Sequence, residues 1–303
     1  MSEDPPFDRT PPAATGQAEL LAPGVRRLVA PNPGPFTFTG TCSYIVGRGR
    51  VAVIDPGPAD ERHLAALQTA LAGETVEAIL VTHTHRDHSS LAPALQRVTD
   101  APTYGQGPHR SARPLALGEV NALDAGADHD FRPDIALADG QAVEGTGWRL
   151  AVVATPGHCA NHLAFALGGD DLLFSGDHVM AWSTPVVAPP DGSMGDYMAS
   201  LQKLSKRKEP VYFPGHGPAV NNAPRFVAAY ILHRKAREQA ILNRLQGGES
   251  DIPSLVTGIY ANLDPRLLKA AGMSVLAHLE DMVARGQVAT NGPPSIAGRY
   301  RLA

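Results

Sequence analysis

The stretch LVTHTHRDHSS, Leu80 to Ser90, sets His83, His85 and His88 within six positions, with Asp87 among them, directly behind an apolar run. Imidazole is the commonest metal ligand in proteins, and imidazoles mixed with a carboxylate suit zinc or a similar borderline transition ion. Three more ligand-type residues follow or end apolar runs in glycine-rich contexts: His158 in TPGHCANH, Asp177 in FSGDH and His216 in FPGHG. Glycine beside a ligand lets the backbone turn sharply and come close. Side chains two residues apart lie about 200° apart on a helix but share a face in an extended chain. His83 and His85 therefore converge only if the segment leaving the strand stays extended. Asp87 and His88 then arrive as the chain turns into the helix expected over HSSLAPALQRV.

The elements that must position these residues are legible as alternating runs. GVRRLVA (24–30), TCSYIVG (41–47), VAVIDPG (51–57) and EAILVTH (77–83) read as strands, and Asp60 to Leu71 reads as a helix with Leu64, Leu67 and Leu71 on one face. WRLAVVATPG (148–157), HLAFAL (162–167), DLLFSGD (171–177) and VYFPGHG (211–217) continue the β pattern, with helices expected near 197–204 and over 225–245. The outline is α/β, sheets inside and helices outside. Beyond Gly247 and Gly248 the pattern changes to short helices, MSVLAHLEDMVARG the clearest, and a closing strand pair near QVAT and GRYRLA, the outline of a small winged-helix unit. Three parts are expected: a Pro-rich extended tail over 1–20, too poor in apolar residues to pack; an α/β domain over 21–245 that carries the histidine and aspartate cluster; and a winged-helix-like domain over 246–303.

HTHRDH, TPGH, SGD and PGHG, in this order, resemble the metallo-β-lactamase superfamily, whose fold is an αββα sandwich. The resemblance puts His83, His85 and His158 on one metal ion and Asp87, His88 and His216 on a second, with Asp177 bridging. It implies two divalent cations, zinc foremost, with iron or manganese able to occupy the same donors. Two such cations about 3.5–4 Å apart lower the pKa of a shared water, so that a bridging hydroxide attacks an ester-type bond. Asp87 is then placed to accept a proton as the catalytic acid–base. Aspartate at 177, where thiolate-using lactamases carry cysteine, is more like the thioesterase, lactonase and nuclease branches. The C-terminal half resembles the β-lactamase-like protein 2 subfamily, whose human mitochondrial member is a single-strand endoribonuclease. Glyoxalase II, a thioesterase, is a more distant likeness.

Composition narrows the partners. The chain has 303 residues, 43% apolar and 18% charged, with two cysteines, so a disulfide framework or a cysteine-rich zinc module is excluded. No export signal or membrane-length apolar run is visible in the sequence, and a cytoplasmic location is the expectation. Residues 201–245 carry nine Lys and Arg against two acids, a basic belt on an otherwise acidic protein of net charge −4. Such a belt suits a phosphodiester or a thioester with an anionic carrier. The expected substrate is thus a small-molecule ester, thioester or lactone, or single-stranded RNA. Sequence-specific DNA binding is not expected, since the best helix of the winged unit carries Glu280 and Asp281. A regulator built on an inactive lactamase-type fold is the alternative, and no oligomeric state is assigned. His178, Trp182 and Tyr197 are candidate substrate contacts. Cys159 and His162 read as structural, Asn161 stands where a relative holds an acid, and His63, His109, His129, His233 and His278 read as solvated or helix-surface residues.

Overall fold

A computed structural model of the chain describes residues 5–121, 124–168, 172–260 and 264–303. Asp171, at the head of the expected DLLFSGD strand, lies outside the described residues, as do positions 1–4, 122–123, 169–170 and 261–263.

Two sheets lie face to face. The first has seven strands in chain order: β1 (Glu19–Ala22), β2 (Val25–Val29), β3 (Cys42–Arg48), β4 (Arg50–Ile54), β5 (Thr75–Leu80), β6 (Thr103–Gly105) and β7 (Ile135–Ala136). It is antiparallel up to β4 and parallel from β4 onward. The second runs β13-β12-β11-β10-β9-β8, from β8 (Ala142–Gly145), β9 (Trp148–Ala154), β10 (Leu163–Leu167), β11 (Leu172–Gly176), β12 (Val211–Pro214) and β13 (Val220–Asn221). Strands β11 and β12 pair in parallel, the rest antiparallel. Between the sheets, Val46, Ile54, Leu80, Val152, Phe165 and Phe174 share one apolar core.

Helices cover both outer faces. On the first sheet lie α1 (Glu61–Ala70), the single-turn α2 (Arg86–Ser89) and α3 (Ala92–Thr99), with Leu67, Leu91 and Leu95 packed on Ile45, Val53 and Ile79. Asp60 caps α1, its carboxylate accepting from the Arg62 amide. On the second sheet lie α4 (Met194–Leu204) and the 23-residue α5 (Ala223–Leu245), whose Phe226, Val227 and Tyr230 pack with Leu173 and Tyr212. These layers are the αββα order that buries the apolar face of each sheet twice.

The C-terminal unit has α6 (Ile252–Ile259), α7 (Leu268–Ala284) and a three-stranded sheet of β14 (Ser250–Asp251), β16 (Arg299–Leu302) and β15 (Val288–Thr290). Its core takes in Ile241 and Leu245 from α5, so that helix serves both cores. Ala277 of α7 reaches the outer core of the second sheet. Among the described residues no helix is long and apolar enough to cross a membrane.

The amino-terminal segment departs from expectation. Residues 5–18 form no helix or strand, but Phe7 packs on the outer core of the second sheet, the Asp8 amide donates to the Ala181 carbonyl and the Gly16 amide to Val29. One phenylalanine and two backbone bonds are enough to seat a segment that is otherwise poor in apolar residues.

Candidate metal centre

The site forms where strand ends of both sheets meet. After β5 the backbone stays extended through His85 (φ −82°, ψ 143°) before α2 turns, so His83 and His85 share a face, with Asp87 and His88 one turn further. The second sheet contributes His158 after β9, Asp177 after β11 and His216 after β12. His85 Nδ1 lies 3.0 Å from both His83 Nε2 and His158 Nε2. His216 Nε2 lies 3.3 Å from His88 Nε2 and 3.3 Å from Asp87 Oδ2. Asp177 Oδ2 stands between the groups, 3.2 Å from His216, 3.6 Å from His88 and 3.7 Å from His158. Two trios of donor atoms result, His83/His85/His158 and Asp87/His88/His216, and Asp177 completes a further group with His83 and His88.

The tautomers suit a cation. His88 Nδ1 faces Asp55 Oδ2 at 2.9 Å, His158 Nδ1 the Val186 carbonyl at 2.6 Å, and His216 Nδ1 the Gly40 carbonyl at 3.3 Å. These oxygens only accept, so each Nδ1 carries the hydrogen and each Nε2 turns a lone pair inward. His83 Nδ1 meets Thr82 Oγ1, whose own hydrogen goes to Asp55 Oδ2 at 2.7 Å. Lone pairs about 3 Å apart repel unless positive charge lies between them. Asp177 Oδ1, buried and without a hydrogen-bond partner, is a further donor awaiting a cation. The donor set therefore fits divalent metal.

Charge divides the two trios. Burial pushes the His83 and His158 imidazoles down, and His85 down to about 3, so all three are neutral ligands. Burial also pulls on His88 and His216, but Asp87, Asp177 and Asp55 carry His88 well above its ordinary value, and Asp177 with Asp87 raises His216 to about 9. Burial alone would raise the Asp87 and Asp177 carboxyls, yet these imidazoles hold both well below the usual carboxylate range. The second trio thus calls for positive charge, which a metal supplies in place of protons.

Glycine makes the approach possible. A side chain at Gly215 would collide with the Asp177 carboxylate and the His88 ring. Four contacts fasten the PGHG turn to the opposite sheet: Tyr44 Oη to the Pro214 carbonyl (2.6 Å), the Cys42 amide to Gly215, Arg27 Nη1 to the Gly217 carbonyl (3.2 Å), and a bridge between Thr41 and His216.

Some supporting residues carry no signal in a single sequence. Asp55, at φ +50°, binds the Thr82 amide, the Thr82 hydroxyl and His88 at once. The clue to it is position, since it ends a strand parallel and adjacent to β5. Thr41 donates from its hydroxyl to Asp87 Oδ2 at 3.0 Å. Asn161 donates to the Thr84 hydroxyl at 2.8 Å, which fixes the residue between His83 and His85. His162 is structural: its Nδ1 meets Thr155 Oγ1, and its Nε2 accepts from the Asp177 amide. Cys159 is buried against Asn161 Oδ1.

The three candidate substrate contacts divide. Trp182 is partly open and packs at the His216–Gly217 turn, where a Cβ on Gly217 would lie 2.7 Å from the indole. Tyr197 and His178 are fully buried, ring against ring at 4.5 Å, and the tyrosine hydroxyl donates to the His178 carbonyl. Neither side chain is offered to a substrate in this structure. The reason is that α4 presses Tyr197 into the outer core, which also covers the turn after Asp177. Four of the histidines expected to be solvated are also enclosed. His63 binds Ser43 Oγ, His233 and His278 are buried, and His109 Nδ1 meets Thr84 Oγ1 at 3.0 Å with Nε2 3.6 Å from Asp191; only His129 of this group is half exposed. Part of the basic belt is structural too, while Lys206, Lys208, Arg225 and Lys235 are exposed. Lys203 binds Asp139 and the Ala154 carbonyl, Arg207 pairs with Glu209, and Arg234 lies buried over the Tyr197 ring with a hydrogen bond to Pro185.

Comparison with known proteins agrees with this architecture. Residues 36–216 match the family described as the metallo-beta-lactamase superfamily, and residues 252–293 match the beta-lactamase associated winged helix domain. A beta-lactamase-like protein 2 homolog of Caenorhabditis elegans is 32% identical over 250 residues, 80% of this chain and 79% of that protein. An atrochrysone carboxyl ACP thioesterase of Paecilomyces divaricatus is 29% identical, over 82% of this chain and 73% of its own. The crystal structure of a metallo-beta-lactamase family protein from Thermus thermophilus superposes with a TM-score of 0.75 at 26% identity, covering 94% of this chain and all of that one. A two-sheet sandwich with histidine and aspartate donors at its strand ends, extended by the associated winged helix, makes this chain a member of the metallo-beta-lactamase superfamily and a metal-dependent hydrolase.

Proposed function

We propose that the cluster holds two divalent cations, zinc foremost, and that the protein hydrolyses a small-molecule ester, thioester or lactone. The observation that carries this reading is the pair of donor trios, His83/His85/His158 and Asp87/His88/His216, with Asp177 Oδ2 within 3.7 Å of members of both. Two cations so held supply Lewis acidity toward a carbonyl oxygen and make water nucleophilic at neutral pH. Asp87 is the proton acceptor: its side chain is 26% exposed against 9% for Asp177, so it is the carboxylate of the cluster that substrate and water reach. The Thr41 hydroxyl orients it. An acyl substrate is favoured because the likeness to an ACP thioesterase supports a thioester, and Lys203, Arg207 and Arg234 of the basic belt are held in internal contacts.

The test is metal analysis joined to a substrate panel of a glutathione thioester, an acyl lactone, a β-lactam, single-stranded RNA and a generic phosphodiester. About two metal ions per chain are expected, with turnover of the thioester or lactone and a loss of at least about a hundredfold in Asp87→Asn. Less than one ion per chain after zinc loading, or cleavage of RNA with the acyl substrates untouched, overturns the reading.

A further inference from the structure

Two loops beside the metal centre carry no charged residue: 31–41, PNPGPFTFTGT, and 179–190, VMAWSTPVVAPP. They bring Phe38 and Trp182 together as a stacked pair, ring centroids 5.1 Å apart and planes 21° apart. The pair stands next to the acidic trio from both sides. Three residues after Phe38, the Thr41 hydroxyl binds Asp87, and the Gly40 carbonyl faces His216 Nδ1. Trp182 packs against Gly217, the residue after His216.

Phe38 holds a left-handed backbone, φ +54°, which a bulky L residue rarely adopts. The loop enforces it. Gly34 and Phe38 bond amide to carbonyl, Gly40 bonds to Thr37, the Thr37 hydroxyl to Asn32, and the Asn32 side chain grips Thr41 twice. A ring wanted only for packing has no need of a position that glycine fills with less strain. Both rings stay partly open to solvent, and Phe36 beside them is 46% exposed.

We propose that Phe38 and Trp182 form a stacking shelf for an uncharged planar group of the substrate, aryl or conjugated, adjoining the bond that is hydrolysed. The proposal rests on the hydrolase reading above and names its substrate class. Rings offset and near-parallel attract a third ring by the same quadrupole geometry, and neither loop itself offers a cation to a phosphate.

Trp182 is one of two tryptophans, and Trp148 is buried between the sheets, so ligand-dependent fluorescence reports on Trp182. Benzoate titrated into the zinc-loaded protein is expected to quench emission excited at about 295 nm, the red edge where tyrosine no longer absorbs. Cyclohexanecarboxylate, of the same charge but not flat, is not. Phe38→Gly is expected to weaken benzoate binding about two- to tenfold and to bring the ratio of kcat/KM for benzoyl over hexanoyl thioester toward one. Equal response to both carboxylates, or stronger quenching by an oligoribonucleotide than by benzoate, overturns the shelf. Quenching through Trp182 with no acyl turnover leaves the shelf standing and overturns the reaction; turnover indifferent to Phe38 does the reverse.

Discussion

At Asp55 one carboxylate serves three partners, and its left-handed backbone is what turns both oxygens toward β5. Removing it frees the His88 ring to rotate and to change tautomer. Asp55→Ala is therefore expected to weaken metal binding at the second trio by about ten- to a hundredfold, with the first trio less affected. Competition with a chelator of graded strength, read as ions retained per chain, checks this, and equal loss at both sites would refute it. The seven candidate donor residues stand out in the sequence because four crowd into HTHRDH and His158, Asp177 and His216 each follow a glycine. Asp55 and Thr41 are not, since an acid before Pro-Gly and a threonine before a strand are ordinary turn residues, and only the pairing of β4 with β5 and of Thr41 with His216 brings them to the site.

The loops show what periodicity misses. Long apolar strands such as β3 and β9 are foreseeable, whereas β6, β7 and β8 have two to four residues and little apolar pattern, and exist because a neighbour supplies their hydrogen bonds. Between them the loop over 106–121 is tied to the loop ahead of α4 by His109, Ser111 and Asn121, all directed at Asp191. The Asp191 carboxylate pushes His109 up to about 10; burial would raise Asp191, but His109 and its hydroxyl and amide partners hold it at about 2. His109 thus adds stability that is complete below its ordinary 6.5 and disappears as pH rises through about 10; Asp191 adds stability present above 3.8 and lost toward about 2. The tie is strongest between about pH 4 and 6.5. His109→Gln is expected to cost roughly 1–3 kcal/mol in that window, between an exposed and a fully buried pair. Its Tm deficit relative to wild type should shrink by about pH 10. A deficit flat across pH would show that the ring acts through packing alone.

On the scale of the whole molecule, the composition break near residue 246 marks a change of pattern but not a place where the protein comes apart. Ile241 and Leu245 of α5 are buried in the C-terminal core, and Arg113 reaches across to Glu280 of α7 at 2.6 Å while also binding Glu119. A chain ending at Leu245 exposes two large side chains, each worth about 1.5–3 kcal/mol when buried, and strips Ala277 from the outer core. It is expected to aggregate or to melt well below the full-length protein, as size-exclusion chromatography and circular dichroism would show; a monomer of unchanged Tm would establish the winged helix as an independent attachment.

The division of the sandwich also has a consequence for synthesis. All strands of the first sheet come from residues 19–136 and all of the second from 142–221. The earlier half holds His83, His85, Asp87 and His88; the later holds His158, Asp177 and His216. Each trio therefore takes two members from the half made first and one from the half made last. A nascent chain emerging from the ribosome can close the first trio once His158 has followed β9 out. The second must wait until β12 has been laid down and the turn after it fastened by Tyr44, Cys42 and Arg27. For the two cations proposed above, capture of the second would be a late entry in the order of assembly, and a fully loaded centre would certify that both halves have met.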